Sequence, residues 1–271
     1  MNFRMIRSDI TNGVQIITLA RPNFRNAFGI HTIREINAAL DLVEITPSIR
    51  AVILTGSDGS FSAGADLSGM AAEDPQLSNQ ALEAVFNPLL ERLASLPVPL
   101  VCAVNGVAAG GGVGYALAGD LVVAARSAYF LLPFAKLGLV PDVGTSWLLP
   151  RLTGLPRALG MALLGERVYA EQAEQWGMIW KAVDDNSLME TALDIAEKLA
   201  SGPTEALSMT RKAFRQSQNL TLSESLALEA HYQRLAGLSP DCAEGTAAFF
   251  GKRQPVFQER RLGSSKGPEF P

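Results

Sequence analysis

Residues 100–119 read LVCAVNGVAAGGGVGYALAG, and this stretch decides the fold. Leu100–Val104 is a short, continuous apolar run, which is typical of a buried strand. A glycine-rich turn follows, and a short hydrophobic helix continues to about Ala118. The glycines, together with Asn105 and Asp120, exclude a membrane-spanning helix, which needs about 20 mainly apolar residues. The stretch therefore predicts a strand, a loop and a helix of a globular core.

Outward from this stretch, strands alternate with helices in the first half of the chain, and the second half is helical. Short apolar runs predict further strands at Val14–Leu19, Ala51–Thr55, Leu121–Ala125 and Ala128–Leu132. Apolar spacing and helix-start residues predict helices at Ile30–Ile45, Leu77–Leu96, Thr153–Leu164, Ala170–Trp176, Leu188–Ser201, Pro203–Ser217, Leu222–Leu235 and Pro240–Phe250. Pro88 is expected to bend the second of these helices, and Gly56–Met70 is expected to form a loop.

This order of elements predicts an α/β protein in three parts. Residues 1–200 form a layered α/β core, and residues 201–260 form a C-terminal helical region for oligomerisation. Residues 261–271 are a polar tail rich in Gly and Pro, typical of a non-native extension, and we exclude them from the fold.

Composition excludes several functional classes. A net charge of −4 gives no basic surface for nucleic acid. The two cysteines, Cys102 and Cys242, cannot form a disulfide framework, and no secretory signal follows Met1, so we expect a cytoplasmic protein without a membrane segment. With two histidines and neither a CxxC nor an HExxH motif, we expect no metal site, and the GxSxG motif of serine hydrolases is also absent.

Two glycine-rich loops each follow a predicted buried strand. The first is FSAGADL at residues 61–67, and the second is NGVAAGGG at residues 105–112. Glycine lets backbone N–H groups turn toward a ligand, so two such loops can direct two amides at one oxygen and form an oxyanion hole. The GxGxxG and GxxxxGK phosphate motifs fail on spacing, because Leu117 and Gly112 stand at required positions. Alternatively, the glycines only permit close packing of a helix on a strand.

A third feature is GLVPDVGT at residues 138–145, which holds Asp142 between apolar residues. Removal of a carboxylate from water raises its pKa toward that of a useful general base. The alternative interpretation is that Asp142 caps a helix beginning near residue 143, because Asp is among the best N-cap residues.

With these features placed, the sequence resembles the enoyl-CoA hydratase/isomerase (crotonase) superfamily from about residue 4 to residue 258. The resemblance rests on RPNFRNAF (21–28), FSAGADL (61–67), AVNGVAAGGGVGYALAGD (103–120), LGLVPDVGTSWLLPRLTG (137–154) and AFFGKRQPVF (248–257). It implies a ββα spiral core with a C-terminal α-helical region and assembly into a homotrimer or hexamer. It also implies an acyl-CoA thioester as ligand and no cofactor beyond the CoA of the substrate.

The resemblance also implies roles for individual residues. By position, the N–H groups of Ala65 and Gly111 match the two amides that stabilise a thioester enolate, and Asp142 matches the acid/base of family isomerases. Matches to the family's CoA and substrate contacts fall on Arg25, Ala27, Ala63, Gly64, Asp66, Leu67, Gly110, Phe249 and Lys252. The last two match an element that reaches the CoA of a neighbouring subunit.

Two positions depart from the family's hydratases. Those enzymes carry glutamates where this chain has Gly114 and Phe134, and neither residue can move a proton. The departures count against the two-glutamate hydratase mechanism and leave Asp142. Its GLVPD motif resembles that of phenylacetyl-CoA-epoxide isomerases and dienoyl-CoA isomerases.

The sequence is compatible with three functions. The first is an acyl-CoA isomerase with Asp142 as acid/base. The second is an enoyl-CoA hydratase of fatty-acid or aromatic-acid degradation, in which Asp142 alone activates water. The third is a non-catalytic acyl-CoA-binding subunit, suggested by the loss of both glutamates.

Overall fold

The computed structural model describes residues 3–66 and 80–261. Its larger sheet has six strands in the order β1-β2-β3-β5-β7-β10. Their bounds are β1 Ile6–Thr11, β2 Val14–Leu19, β3 Ala51–Gly56, β5 Leu100–Val104, β7 Leu121–Ala125 and β10 Lys181–Val183. The hairpin of β1 and β2 is antiparallel, and the other pairs are parallel. Asn12 and Gly13 form its turn with φ of 48° and 77°, the left-handed pair that a tight hairpin requires.

A smaller sheet has four strands in the order β4-β6-β8-β9. Its members are β4 Ser60–Ser62, β6 Val107–Ala109, β8 Tyr129–Leu131 and β9 Val168–Tyr169. Each of β3, β5 and β7 is followed along the chain by one strand of the smaller sheet, which gives the repeated ββα units of a spiral core. The predicted α/β spiral fold is therefore confirmed by this topology.

The helices pack around these sheets and fill the second half of the chain. They are α1 Ile30–Ile45, α2 Asn87–Ser95, α3 Gly111–Leu117, α4 Thr145–Thr153, α5 Leu155–Leu164, α6 Ala170–Gln175, α7 Leu188–Ala200, α8 Thr204–Ser217, α9 Leu222–Gly237 and α10 Pro240–Phe250. A π-helical turn at Leu82–Phe86 precedes α2, directly before the predicted bend at Pro88. Within the described ranges, every helix is too short or too polar to cross a bilayer.

Three expectations about local structure were wrong. The glycine-rich loop expected at residues 105–112 contains strand β6, which pairs with β4 and β8. Gly56–Met70 is not loop throughout, because Ser60–Ser62 forms β4 and pairs with β6, and three polar or aromatic residues give little local sign of a strand. The helix expected at Thr153–Leu164 is α5, which begins two residues later at Leu155, because a separate helix, α4, ends at Thr153. Gly154 separates them, because its φ of 80° lies outside the helical region.

The C-terminal helices attach to the core through charged side chains. Arg211 and Arg215 of α8 form ion pairs with Asp120, which also accepts a hydrogen bond from the Leu100 N–H. Arg50 donates to the carbonyl of Gly202 and to the hydroxyl of Thr204. These contacts cross the predicted boundary near residue 200 between the core and the C-terminal helical region. The boundary itself stays a prediction.

Candidate active site

The two glycine-rich loops are in direct backbone contact. A Cβ atom added to Gly64 would lie 2.7 Å from the Ala109 carbonyl oxygen and 3.5 Å from the Gly110 Cα. A Cβ added to Gly112 would lie 2.8 Å from the Ser62 carbonyl oxygen. Side chains would therefore force the loops apart, and the glycines have a packing role in addition to their backbone freedom. The structure thus brings both sequence-predicted loops to one place.

Phe28 orients the first loop. Its N–H donates to the Gly64 carbonyl (2.9 Å), and its carbonyl accepts from the Asp66 N–H (2.9 Å). This pattern is a parallel bridge between Phe28 and Ala65, in which the flanking groups of Ala65 make the bonds. The N–H of Ala65 itself therefore points away from Phe28.

Ser62 fixes the start of the same loop from within the core. Its hydroxyl accepts a hydrogen bond from the Gly64 N–H (3.1 Å) and donates to the Asn26 carbonyl (2.9 Å). The buried Asn26 amide in turn donates to the carbonyls of Ser57 and Ser60. The loop is thus held by a satisfied polar network, which keeps its backbone in one conformation.

Gly111 presents the second amide. It is the first residue of α3, and the first N–H groups of a helix have no acceptor within the helix. A Cβ on Gly111 would lie 3.0 Å from the Cζ of Phe28, so the ring that packs here belongs to the residue that bridges Ala65. Phe28 consequently joins the two predicted amide donors.

The Asp142 carboxylate lies beside Gly111. Its Oδ1 is 3.3 Å from the position of a Cβ on that glycine. The same oxygen is buried and has no hydrogen-bond partner among the described residues. Burial raises the pKa of Asp142 to about 6, partly opposed by a backbone hydrogen bond at the residue itself. A buried, unpartnered carboxylate oxygen with this pKa is suited to take up a proton near neutral pH.

The capping interpretation of Asp142 is wrong. Helix α4 begins at Thr145 and its N-cap is Gly144, so the Asp142 side chain makes no cap hydrogen bond. The Asp142 carbonyl accepts instead from the Thr145 N–H (3.0 Å) and hydroxyl (2.8 Å). The backbone is held and the carboxylate is left for other contacts.

A cluster of aromatic side chains around Phe28 lies near this carboxylate. The Phe28 ring packs edge-on against Tyr115 at 4.8 Å and against Phe86 at 5.5 Å. Tyr115 donates its hydroxyl to the Phe86 carbonyl (3.0 Å). Burial, and secondarily the charge of Asp142, raises the pKa of Tyr115 far above its ordinary value, so the phenol stays neutral.

The two positions that depart from the hydratase pattern are both closely packed, and neither holds an acidic side chain. A Cβ on Gly114 would lie 2.0 Å from the Val143 carbonyl oxygen, so no side chain fits there. Phe134 is buried, and its Cζ lies 3.7 Å from the position of a Cβ on Gly110. An apolar ring therefore stands where a second acidic group would be needed.

The residues predicted to contact CoA fall into three groups. Ala63 and Arg25 are linked near the first loop, because the Ala63 N–H donates to the carbonyl of the exposed Arg25. Asp66 pairs with Arg21 at 2.8 Å, and Arg21 also donates to the Ala27 carbonyl. Leu67 lies outside the described residues.

Phe249 and Lys252 form the third group, at the end of α10. Both are exposed, and no hydrogen bond or ring contact joins them to the glycine loops within the described part of the chain. A role at a neighbouring subunit's CoA therefore remains a prediction.

Sequence reasoning missed several residues that build this site. Arg21 and Asn26 both lie in the RPNFRNAF motif, whose presence was the available signal. Phe28 ends the same motif. Nothing in the sequence pattern indicated that Val143 or Tyr115 would pack around Asp142.

Comparison with known proteins identifies the family that this chain resembles over nearly its whole length. A family profile described as enoyl-CoA hydratase/isomerase matches residues 9–260. A 1,2-epoxyphenylacetyl-CoA isomerase of Escherichia coli is 47% identical, covering 93% of this chain and 97% of its own. A probable enoyl-CoA hydratase of Rhodobacter capsulatus is 42% identical over 96% of this chain and 100% of its own. The crystal structure of an enoyl-CoA hydratase from Bacillus anthracis superposes with a TM-score of 0.91 at 31% identity, covering 95% and 100% of the two chains.

Proposed function

The chain belongs to the enoyl-CoA hydratase/isomerase family of enzymes, and we propose that it is an acyl-CoA isomerase with Asp142 as its acid/base. One observation carries the proposal. The buried Oδ1 of Asp142 lies 3.3 Å from the position of a Cβ on Gly111 and has no hydrogen-bond partner among the described residues. This closeness to Gly111 supports a role in exchanging a proton with a ligand bound there.

The proposed mechanism uses two amides and one carboxylate. The thioester oxygen accepts hydrogen bonds from the N–H groups of Ala65 and Gly111, each worth about 3–4 kcal/mol in the transition state. Asp142 removes a proton from a carbon next to, or conjugated with, the thioester. The C–H electron pair passes into an enolate, the proton moves to the Asp142 carboxylate, where it can exchange with solvent, and the carboxyl returns a proton at another carbon. The double bond shifts without oxidation, and the proposal requires no metal or redox cofactor.

Packing at the site disfavours a two-carboxylate hydration. In the described structure Gly114 has no room for a side chain and Phe134 is a buried ring, so Asp142 has no second acid beside it at these positions. A single carboxylate suffices for moving a proton between two carbons, because it returns to its starting state. Hydration and non-catalytic binding are therefore outcomes of the test below.

For the acyl group we propose a cyclic or aromatic structure. Phe28 packs against Gly111 and Tyr115, Phe134 packs against Gly110, and aromatic rings pack well on flat unsaturated groups. The relative from Escherichia coli that is 47% identical is named for an epoxyphenylacetyl-CoA substrate. Both points favour this class over a straight chain.

We also propose a cytoplasmic homotrimer or hexamer. Large apolar side chains are exposed on α5 and around the end of α10, including Leu155, Leu163, Phe249 and Phe250. Such apolar surface is typical of subunit contacts. Sedimentation analysis in solution measures the assembly, and a monomer would contradict this part of the proposal.

Solvent deuterium exchange tests the chemistry. The wild type and Asp142→Asn are each incubated in heavy water with phenylacetyl-CoA, a 3-enoyl-CoA and crotonyl-CoA. Mass spectrometry follows deuterium and added water in each product. We expect deuterium uptake or a shifted double bond with the wild type, and at least about a 100-fold slower reaction for Asp142→Asn.

The matched control is Asp9→Asn, which neutralises an exposed carboxylate on β1 and is expected to leave the rates unchanged. A 3-hydroxyacyl product would indicate a hydratase instead. Binding of all three esters without exchange would indicate a non-catalytic subunit. Wild-type rates for Asp142→Asn would overturn the assignment of the acid/base.

A further inference from the structure

Val143 has a backbone conformation that its residue type rarely adopts. Its φ is +45°, and Gly144 follows with φ of +70°. The Thr145 N–H donates to the Asp142 carbonyl (3.0 Å), which closes a turn whose two central residues are both left-handed. Such turns are dominated by Gly, Asn and Asp, and a β-branched residue with positive φ is an outlier. The conformation persists only if the surroundings impose it.

The surroundings that impose it are two glycines of α3. Val143 is 2% exposed. Its Cγ2 lies 2.8 Å from the position of a Cβ on Gly111, and its Cγ1 lies 3.1 Å from that on Gly114. Residues three apart lie on one face of a helix, so these glycines leave a single notch that the branched side chain fills.

The notch matters because little else orients the neighbouring carboxylate. Asp142 directly precedes Val143, and its Oδ1 has no hydrogen-bond partner among the described residues. The carboxyl group receives a hydrogen bond from the backbone of Asp142 itself, and the Asp142 carbonyl accepts from Thr145. Both contacts depend on the backbone of the turn, so the packing that fixes this backbone also directs the carboxylate toward Gly111.

We propose that Val143 is a positioning residue, whose branched side chain in the Gly111–Gly114 notch holds the Asp142 carboxylate beside the Gly111 amide. The inference rests on the proposed function, because it names what places the proposed acid/base. It explains why a residue unsuited to the turn stands there. Asparagine or glycine would suit the backbone, but neither has the two γ methyl groups that fill the notch.

The same side chain keeps water from the carboxylate. Burial, rather than a charged neighbour, raises the pKa of Asp142. Tyr115 on α3 is the titratable group whose pKa responds to the charge of Asp142, and it stays neutral. Removal of the γ methyl groups would admit water beside Asp142 and lower its pKa toward that of an ordinary aspartate.

Truncation and rescue at residue 143 test the inference. Val143→Gly and Val143→Ala remove the methyl groups, Val143→Asn suits the left-handed turn without filling the notch, and Val143→Ile restores the branch. We expect each truncation to lower kcat of the exchange reaction about tenfold or more per folded protein, with KM nearly unchanged. The acidic limb of the kcat profile should move to lower pH, and Val143→Ile should restore both. Val183→Ala, in the edge strand β10, is the matched buried-valine control.

The outcomes separate this inference from the proposed function. If Asp142→Asn is inactive while the truncations that fold keep wild-type kcat and an unmoved acidic limb, Val143 has no positioning role and the acid/base assignment stands. If kcat falls equally in Val183→Ala, the effect is one of general stability, and the inference is again wrong. If Asp142→Asn is as active as the wild type, the proposed function fails.

Discussion

Replacing Gly114 with alanine adds one methyl group where the Val143 carbonyl comes closest to α3. The new Cβ would lie 2.0 Å from that oxygen, whereas contacts under 3.0 Å are essentially never seen, so the carbonyl must retreat by about 1 Å. That carbonyl belongs to the residue after Asp142. A misplacement of about 1 Å at a catalytic group costs about 100-fold in rate, or about 2.7 kcal/mol.

We therefore expect Gly114→Ala to lower kcat/KM of the exchange reaction about 100-fold. Its free energy of unfolding should fall by about 1–3 kcal/mol from overpacking, less up to about 1 kcal/mol gained from the better helix former. Urea titration and exchange kinetics measure the two effects.

Gly160→Ala in α5 is the matched control, because no atom lies within 4 Å of the new Cβ. It should keep wild-type activity and unfold at equal or higher urea concentration. If Gly114→Ala matches the wild type in both rate and stability, the turn yields to the methyl group without cost, and Gly114 is not needed to place Asp142.

Other predictions concern the same carboxylate and its supporting loop. Burial raises the pKa of Asp142 to about 6, so kcat/KM should fall below an apparent pKa of about 6 as the base is protonated, and a limb near pH 4 would contradict the assignment. An unfolded aspartate has a pKa of about 3.9, which is below the value of about 6 in the folded chain. The protonated carboxyl group therefore stabilises the fold fully below about pH 4, and this stabilisation is lost as pH rises through about 6. Asp142→Asn should therefore be more stable than the wild type by about 1–2 kcal/mol at pH 8, after allowance for partial solvent screening, with little difference at pH 4. Urea unfolding at the two pH values measures this, and a variant less stable than the wild type at pH 8 would disprove it. Ser62→Ala removes the hydroxyl that bonds the Gly64 N–H and the Asn26 carbonyl in the core. It should lower the free energy of unfolding by about 1–3 kcal/mol and lower kcat. Thr210→Ala, at an exposed position of α8, should change neither quantity.

Local sequence signals were sufficient for strands β2, β3, β5, β7 and β8, and they located the three segments that meet in the structure. Leu100–Val104 was identified by its unbroken apolar run, and Asp142 by its apolar neighbours. Both signals lie within a few residues along the chain. Ser60–Ser62 became a strand only because β6 pairs with it, which is a contact across more than 40 residues that composition does not encode.

The backbone conformation of Val143 depends on its contact with α3 and could not be predicted from its neighbours in the sequence. Valine alone favours an extended backbone, and the sequence predicted nothing unusual at this position. Its left-handed conformation follows from two glycines some 30 residues earlier, whose missing side chains make the notch. Likewise, Phe28 links Ala65 to Gly111 through a bridge on one side and a ring contact on the other. Tertiary packing determines both features.

The arrangement of the two amides and the carboxylate is tested most directly by a crystal structure with a non-reacting acyl-CoA analogue, such as the thioether-linked ketone. We expect the analogue's carbonyl oxygen at about 2.7–3.1 Å from the N–H nitrogens of both Ala65 and Gly111. We also expect a carboxylate oxygen of Asp142 within about 3.5 Å of the adjacent acidic carbon. An oxygen bound by other groups, or an Asp142 carboxylate turned away from that carbon, would contradict this arrangement.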